Sequence, residues 1–130
     1  MAEQPKHATR RVLRDVFPVT DKYDVSIPGL LNVLHVAPLR SLEHIASARA
    51  EELIRPGFNH VDDFYELWYE VSDFHTDYNY DLSLYVEGTG HTITHDGKHI
   101  GTFPADNQHL IWHVYAEYNG RWANGHNESV

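Results

Sequence analysis

Cysteine is absent from the 130 residues of this chain. Without cysteine there are no disulfide bonds, no zinc sites built from thiolates and no cysteine nucleophile. The absence also fits a cytoplasmic protein, which is the location we expect. No apolar run is long enough to span a membrane, and the N-terminus lacks the apolar region of a signal peptide, so no membrane association is predicted.

Basic residues are scarce as well. The chain has 10 Lys and Arg against 19 Asp and Glu, which gives a formal net charge of −9 with neutral histidines. Binding to a nucleic-acid backbone needs clustered Lys and Arg. The basic turn at Arg10, Arg11 and Arg14 is isolated, so no nucleic-acid partner is predicted.

Histidine and aromatic residues, by contrast, are abundant. There are 11 His, 8 Tyr, 5 Phe and 3 Trp, within an ordinary globular balance of 42% hydrophobic and 22% charged residues. The length predicts a single domain over residues 1–130. So many histidines are compatible with a metal site or an acid–base pocket, and also with no special role.

The first part of the chain, residues 1–77, is predicted to be mainly helical. Residues 7–17 form a short amphipathic pattern that ends at Pro18. For residues 26–36 the pattern does not decide between a helix and a buried strand, because their apolar density suits either.

Two further helices are predicted before residue 78. Residues 41–54 repeat apolar side chains on one side, with Ser41 as a plausible N-cap. The apolar residues of 62–75 also recur at helical spacing, and we favour a helix there. A strand competes there, because the segment is rich in aromatic residues, which favour strands.

The second part, residues 78–126, is predicted to be an antiparallel sheet. Asp96-Gly97 and Asn119-Gly120 suit a type I′ hairpin turn, and Gly88-Thr89 suits a type II′ turn. These turns divide the region into five strands, at 80–87, 90–95, 98–103, 109–118 and 121–125. The predicted fold class is therefore α+β, with N-terminal helices packed on a curved C-terminal β-meander that forms a cone or half-barrel.

Hairpin turns also fix which side chains share a face. With two-residue loops at Gly88-Thr89 and Asp96-Gly97, His91 and His95 fall on the same face as Leu84 and Ile93. That face would be buried, so the sequence predicts two inward histidines. Imidazole titrates near neutral pH and can move protons.

We therefore take His91 and His95 as the first acid–base candidates, with His113 and Tyr115 next. Each histidine can equally be a core-edge residue that hydrogen-bonds to a backbone group or a carboxylate. Plausible pocket walls are aromatic residues, although each is more often simple core packing: Tyr65, Trp68 and Trp112.

A metal site is not predicted from the same-strand histidine pairs. His91 and His95 are four residues apart, as are His109 and His113. A strand rises ~3.3 Å per residue, so each pair is separated by about 13 Å and cannot share one ion. No cofactor is expected.

The region from about 58 to 126 resembles the nuclear-transport-factor-two-like superfamily, the cone-shaped fold of polyketide-cyclase-like and scytalone-dehydratase-like enzymes. The resemblance rests on the segment from Val61 to Trp68 as an amphipathic helix, the turn region from Gly97 to Phe103, and the turn from Tyr118 to Trp122. It implies a cofactor-free lyase, isomerase or cyclase acting on a small molecule, in the setting of secondary metabolism. A homodimer is expected by analogy only.

Two alternatives remain open. His75, Asp77, Asp81 and Gly88 resemble the first cupin motif, with Asp in place of the second His and the Glu. That resemblance implies a metalloprotein, with His109 as the fourth ligand. The other alternative is a non-catalytic ligand-binding or interaction domain.

Overall fold

The structure is a computed structural model that describes residues 9–73, 78–105 and 110–122, with the backbone alone at 78–79 and 119–122. Two antiparallel sheets make up most of it. Sheet A has the strand order β1-β4-β3, with β1 at Arg10–Pro18, β3 at Leu30–Pro38 and β4 at Phe64–Ser72. Sheet B has the order β2-β5-β7-β6, with β2 at Tyr23–Pro28, β5 at Tyr78–Gly88, β6 at Lys98–Pro104 and β7 at Ile111–Trp122.

The described helices are short. One α-helix, α1, spans Ser47–Leu53, and two 3-10 turns lie at Leu42–His44 and Val61–Asp63. None of the helices in the described ranges is long and apolar enough to cross a membrane. The protein is therefore α+β in class, but its core is built almost entirely by strands.

The main core lies between the two sheets. Alternate residues of β4, including Leu67, face alternate residues of β5 and β7, including Leu84 and Val114, and all three are fully buried. The rings of Tyr65 in sheet A and Phe103 in sheet B stack with their centroids 5.5 Å apart. Period-two alternation with one buried face is what two packed sheets require.

A second apolar cluster covers part of the outer face of sheet A. Leu53 of α1 packs with Val16 of β1 and Phe64 of β4. Arg49 of α1 fixes the helix, because its Nε donates to the Asp15 carboxylate at 3.0 Å. At this end of sheet A both faces of β1 and β4 are therefore buried.

The edge strands β3 and β6 of the two sheets meet at Gly101. A Cβ at this position would lie 2.6 Å from the Cβ of Val36, closer than real side-chain contacts allow. Glycine is needed here because the two backbones approach so closely.

The predicted N-terminal helices are mostly wrong. Residues 7–17 and 62–75 were predicted as helices, yet Arg10–Pro18 and Phe64–Ser72 are neighbouring strands. The cause is the second cluster, which buries Val16 and Phe64 on one face while Phe17 and Tyr65 lie in the main core on the other. Apolar residues on consecutive positions then imitate the pattern of a helix.

The ambiguous segment 26–36 resolves into strand, shared by β2 and β3. The predicted helix at 41–54 is correct in part. Its α-helical portion is Ser47–Leu53, and the Ser41 hydroxyl caps the preceding 3-10 turn by accepting from the Glu43 N–H at 3.2 Å. Residues 1–77 are thus not mainly helical in the range that is described.

In the C-terminal part the antiparallel pairing is confirmed, but the meander is wrong. Residues 91–97 form no strand, and one strand continues through Asn119-Gly120 where a turn was predicted. β5 pairs with β7, so Val86 lies opposite Val114 rather than opposite His91. A long-range strand inserts between the expected neighbours, which local turn residues cannot signal.

Candidate functional site

The outer face of sheet B gathers most of the histidines that sequence reasoning singled out. Inward-facing residues of β5 and β7 are apolar, so the alternate residues point away from the core. We call this outer surface the histidine face. It comprises Tyr85, Glu87, Thr89, His91, His95, His99, Thr102, His113 and Tyr115.

Strand pairing places these side chains in rows across the sheet. Glu87, His113 and Thr102 lie opposite one another on β5, β7 and β6. A second row contains Tyr85 and Tyr115. The central position of β7 thus brings residues from three strands together.

A β-bulge in β6 adds one more histidine to the face. The register shifts between His99 and Gly101, which leaves Ile100 as the extra residue. Bulges re-aim side chains by breaking strict alternation. As a result His99 and Thr102, which are three residues apart, are joined on the same side by a hydrogen bond of 2.9 Å.

His113 lies at the centre of a continuous hydrogen-bonded row. Its Nε2 is 2.9 Å from the Thr89 hydroxyl, and its Nδ1 is 3.0 Å from the Thr102 hydroxyl. Thr102 in turn contacts Nε2 of His99. We call the four residues Thr89, His113, Thr102 and His99 the histidine row.

His95 is enclosed by its neighbours, with its side chain only 6% exposed. Its ring stacks on Tyr85 with centroids 3.9 Å apart and planes 12° from parallel. The Gly97 N–H donates to Nδ1 at 3.0 Å, so the neutral ring carries its proton on Nε2, which lies 3.1 Å from the Glu87 carboxylate. Both ring nitrogens are therefore occupied, which indicates a positioning role for His95.

His91 is held differently, because its side chain is 61% exposed. Its Nδ1 accepts from the Gly88 N–H at 3.2 Å and lies 3.7 Å from the Glu87 carboxylate. The neutral ring therefore also carries its proton on Nε2. No hydrogen bond joins Nε2 of His91 to another of the described residues, so its proton is available to a ligand.

A cleft of about 660 Å³ adjoins the histidine face and shares Tyr85 with it. Its polar lining includes Asp24, Asp81 and Glu117. The Tyr85 hydroxyl donates to the Glu117 carboxylate, and this bond, with a smaller effect of burial, raises the pKa of Tyr85 to about 12. The phenol thus stays protonated and can donate at neutral pH.

The histidines are near one another, as the sequence suggested, but they do not face the core. His91 is exposed and His95 lies on the outer surface of sheet B, opposite in direction to Leu84. The predicted shared face with Ile93 is wrong, because Ile93 is 41% exposed in the loop before β6. Neither of the two hairpin registers that placed these histidines inward, at Gly88-Thr89 and at Asp96-Gly97, occurs in the structure.

The three predicted pocket walls are not brought together. Tyr65 is fully buried in the main core, where burial raises its pKa. Trp112 packs against the same core from its edge. Trp68 lies on the outer face of sheet A, within a different cleft.

Little of the cupin-type site falls in the described ranges. His75, Asp77 and His109 lie outside them. Asp81 is on the outer face of β5, where it accepts a hydrogen bond from Ser26 at 2.9 Å. Among the described residues no group of three His, Asp or Glu side chains is arranged to hold a metal ion.

Comparison with protein families gives one match. Residues 8–125 match the family described as Domain of unknown function (DUF7352). The chain belongs to this family. No curated protein and no solved structure matches the chain.

The family description assigns no chemistry, so the histidine face carries the functional interpretation. Sequence reasoning missed Glu87, His99 and Thr102, which bond directly to the predicted histidines. The alternation of His113 and Tyr115 along one strand was the available signal for a shared face. The pairing of that strand with β5 was not available from local sequence.

Proposed function

We propose that this chain is a cofactor-free enzyme that catalyses proton transfer on a small molecule, of the lyase, isomerase or cyclase type. The proposal rests on one observation, the unbroken histidine row from Thr89 through His113 and Thr102 to His99. Each of these reaction types removes a proton from one atom of the substrate and returns it elsewhere. A side-chain row that changes its proton arrangement as a unit supplies that chemistry without a bound cofactor.

The row has two matched arrangements of its protons. Each hydroxyl has one proton to donate, and each neutral imidazole has one N–H and one acceptor nitrogen. In the first arrangement His99 donates to Thr102, Thr102 to His113, and His113 to Thr89. In the second arrangement every one of these three hydrogen bonds points the other way.

One proton passing along the row converts the first arrangement into the second. A proton from solvent is taken up at Nδ1 of His99, and the Nε2 proton of His99 moves to Thr102. Thr102 passes its own proton to Nδ1 of His113, and the Nε2 proton of His113 moves to Thr89. The original hydroxyl proton of Thr89 leaves for the substrate. Each of the four residues therefore gains one proton and loses one, and each imidazole changes its N–H from Nε2 to Nδ1.

The substrate position follows from the ends of the row. Thr89 is exposed and lies in the same turn as His91, whose side chain is also exposed and has no hydrogen bond from Nε2 to another described residue. His91 and Thr89 are therefore the groups of the face best placed to contact a substrate, with His113 as the relay behind them. Tyr115 packs edge-on against His99 at 5.3 Å and His95 at 5.2 Å, and so orients both rings.

Proton transfer of this kind can be measured before the natural substrate is known. We would incubate the protein in heavy water with a panel of small ketones, esters and hydroxy acids and follow the loss of C–H signals by proton NMR. We expect exchange above the buffer rate for at least one class of compound. His113→Gln should lower that excess by about a hundredfold, the lower range of acid–base contributions.

The matched control is His60→Gln, because His60 is an exposed histidine that precedes the 3-10 turn before β4 and is not part of the histidine face. It should leave the exchange rate unchanged. Equal loss in both variants, or no exchange above buffer for the whole panel, would overturn the acid–base proposal and leave a non-catalytic binding domain as the better interpretation.

A further inference from the structure

The outer face of sheet A contains a second cleft, distinct from the histidine face. It measures about 550 Å³. Its lining combines positively ionisable side chains with one aromatic ring and one carboxylate: Arg14, His35, Arg40, His44, Trp68 and Glu66, together with Ala37 and Pro38. We call it the cationic cleft.

Strand pairing sets the floor of this cleft. Trp68 of β4 lies directly between Arg14 of β1 and His35 of β3. Glu66 is the next outward residue along β4. The 3-10 turn closes one end, since Arg14 donates to the backbone carbonyl of His44 at 2.7 Å. The arrangement is therefore built from strands and a turn that the second apolar cluster holds in place.

The charge of the cleft is opposite to that of the chain. Arg14 is engaged by Glu66 in an ion pair and lies 6.0 Å from the centroid of the Trp68 ring. The one carboxylate of the lining is thus neutralised by one arginine. Arg40 is exposed, and no hydrogen bond or ion pair joins it to another of the described residues. In a chain with a net charge of −9, an unengaged guanidinium beside two histidines is a local positive site.

We propose that the cationic cleft binds a small organic anion, in which an oxyanion group is attached to a planar apolar ring. Arg40 provides a planar fork of N–H donors, which matches a carboxylate or phosphate. Trp68 provides a flat apolar surface for the ring, and its neighbour Arg14 is already fixed. A cleft of this volume is in the range of small-molecule sites.

The proposed binding affinity has one contribution from the charge of the ligand and one from its ring. Two probe compounds separate these contributions. Naphthoate carries both a carboxylate and a planar ring, and naphthamide is its neutral counterpart of nearly the same shape. We expect isothermal titration calorimetry at low salt to show naphthoate binding at least tenfold more tightly than naphthamide. Added salt should weaken naphthoate alone.

Two variants locate the site. Arg40→Gln should weaken naphthoate binding tenfold or more, because a hydrogen-bonded charge pair is lost, and should leave naphthamide unchanged. Trp68→Leu should weaken both probes. Arg40 is exposed, so its replacement leaves the fold intact, which circular dichroism checks.

The matched control is Arg10→Gln. Arg10 is a basic residue on the same strand as Arg14, pairs with Glu70 at 3.6 Å and lies outside the cleft. The Arg10→Gln variant should bind naphthoate with the same affinity as the unaltered protein. Equal affinity for the two probes, the same loss in Arg10→Gln as in Arg40→Gln, or no naphthoate binding would each overturn the proposal.

Discussion

The outer faces of the two sheets differ in how their polar groups are engaged. On the histidine face the imidazoles bond to hydroxyls, backbone N–H groups and Glu87, so most of the bonding capacity is used within the protein. In the cationic cleft Arg14 and Glu66 neutralise each other, while Arg40 stays unengaged among the described residues. A closed row suits proton transfer, and an unengaged cation suits ligand capture. One architecture therefore presents two outer surfaces whose polar groups are engaged to different degrees.

The largest loss of stability is expected where the edge strands β3 and β6 of the two sheets touch. Gly101 lies in β6, which carries His99 and Thr102, and touches Val36 of β3, which carries His35. Gly101→Ala places a methyl group 2.6 Å from Val36 and should cost about 1–3 kcal/mol of unfolding free energy through overpacking. Chemical denaturation measures this loss.

Gly88→Ala is the control for that substitution. Its added methyl would meet mainly the exposed ring of His91 at 3.3 Å, which can move aside. We expect a loss of only a few tenths of a kcal/mol for an exposed, adjustable neighbour. If the two alanine variants were equally stable, the close approach of β3 and β6 would be wrong.

A smaller effect, confined to the histidine face, is expected for Gly97→Ala. The new Cβ would lie 2.9 Å from Nδ1 of His95 and 3.0 Å from Cβ of Tyr115, so the imidazole must leave its place on Tyr85. We expect a loss of about 1 kcal/mol and shifted imidazole resonances for His95. Naphthoate binding by the cationic cleft should not change. A change there would mean that the two faces are not independent.

The smallest effect concerns the titration of Tyr85. Glu117→Gln removes the carboxylate that raises the pKa of Tyr85 to about 12, so the phenol should ionise nearer its ordinary value of about 10. Because the folded-state pKa is raised, the bond stabilises the fold fully below about pH 10, and this contribution is lost as pH rises toward about 12.

Alkaline titration followed by phenolate absorbance tests this point, and Tyr85→Phe identifies the tyrosine concerned. If Glu117→Gln left the high-pH part of the titration unchanged, the bond between Tyr85 and Glu117 would not account for the shift.

Local sequence signals predicted some elements and misled on others. The strands near 80–87 and 98–103 were correct, since their alternation and flanking turn residues reflect one buried face. β1 and β4 were misread because α1 covers their outer face, which makes consecutive residues such as Val16 and Phe17 apolar. Over about ten residues, the sequence pattern of an amphipathic helix resembles that of a strand that is buried on both faces.

The candidate site was predictable in composition but not in arrangement. His113 and Tyr115 share a face of β7 by simple alternation, as the sequence indicated. The pairing of β7 with β5 joins residues about thirty positions apart, such as Val86 and Val114, and no turn residue reports it. The bulge that turns His99 toward Thr102 depends on one unpaired residue in β6. Long-range register and a single inserted residue are therefore what sequence reasoning lacked.

The alternation along β7 has a consequence for divergence within the family. Val114 and Ala116 pack in the core between the two sheets, while their half-buried neighbours His113 and Tyr115 face the outer side. Replacing the outward residues alters the chemistry offered to a ligand and leaves the inter-sheet packing as it is. Two relatives can therefore keep the same β7 backbone and inner residues while they present different side chains to a ligand, because the residues that pack between the sheets and the residues that face outward alternate along one strand.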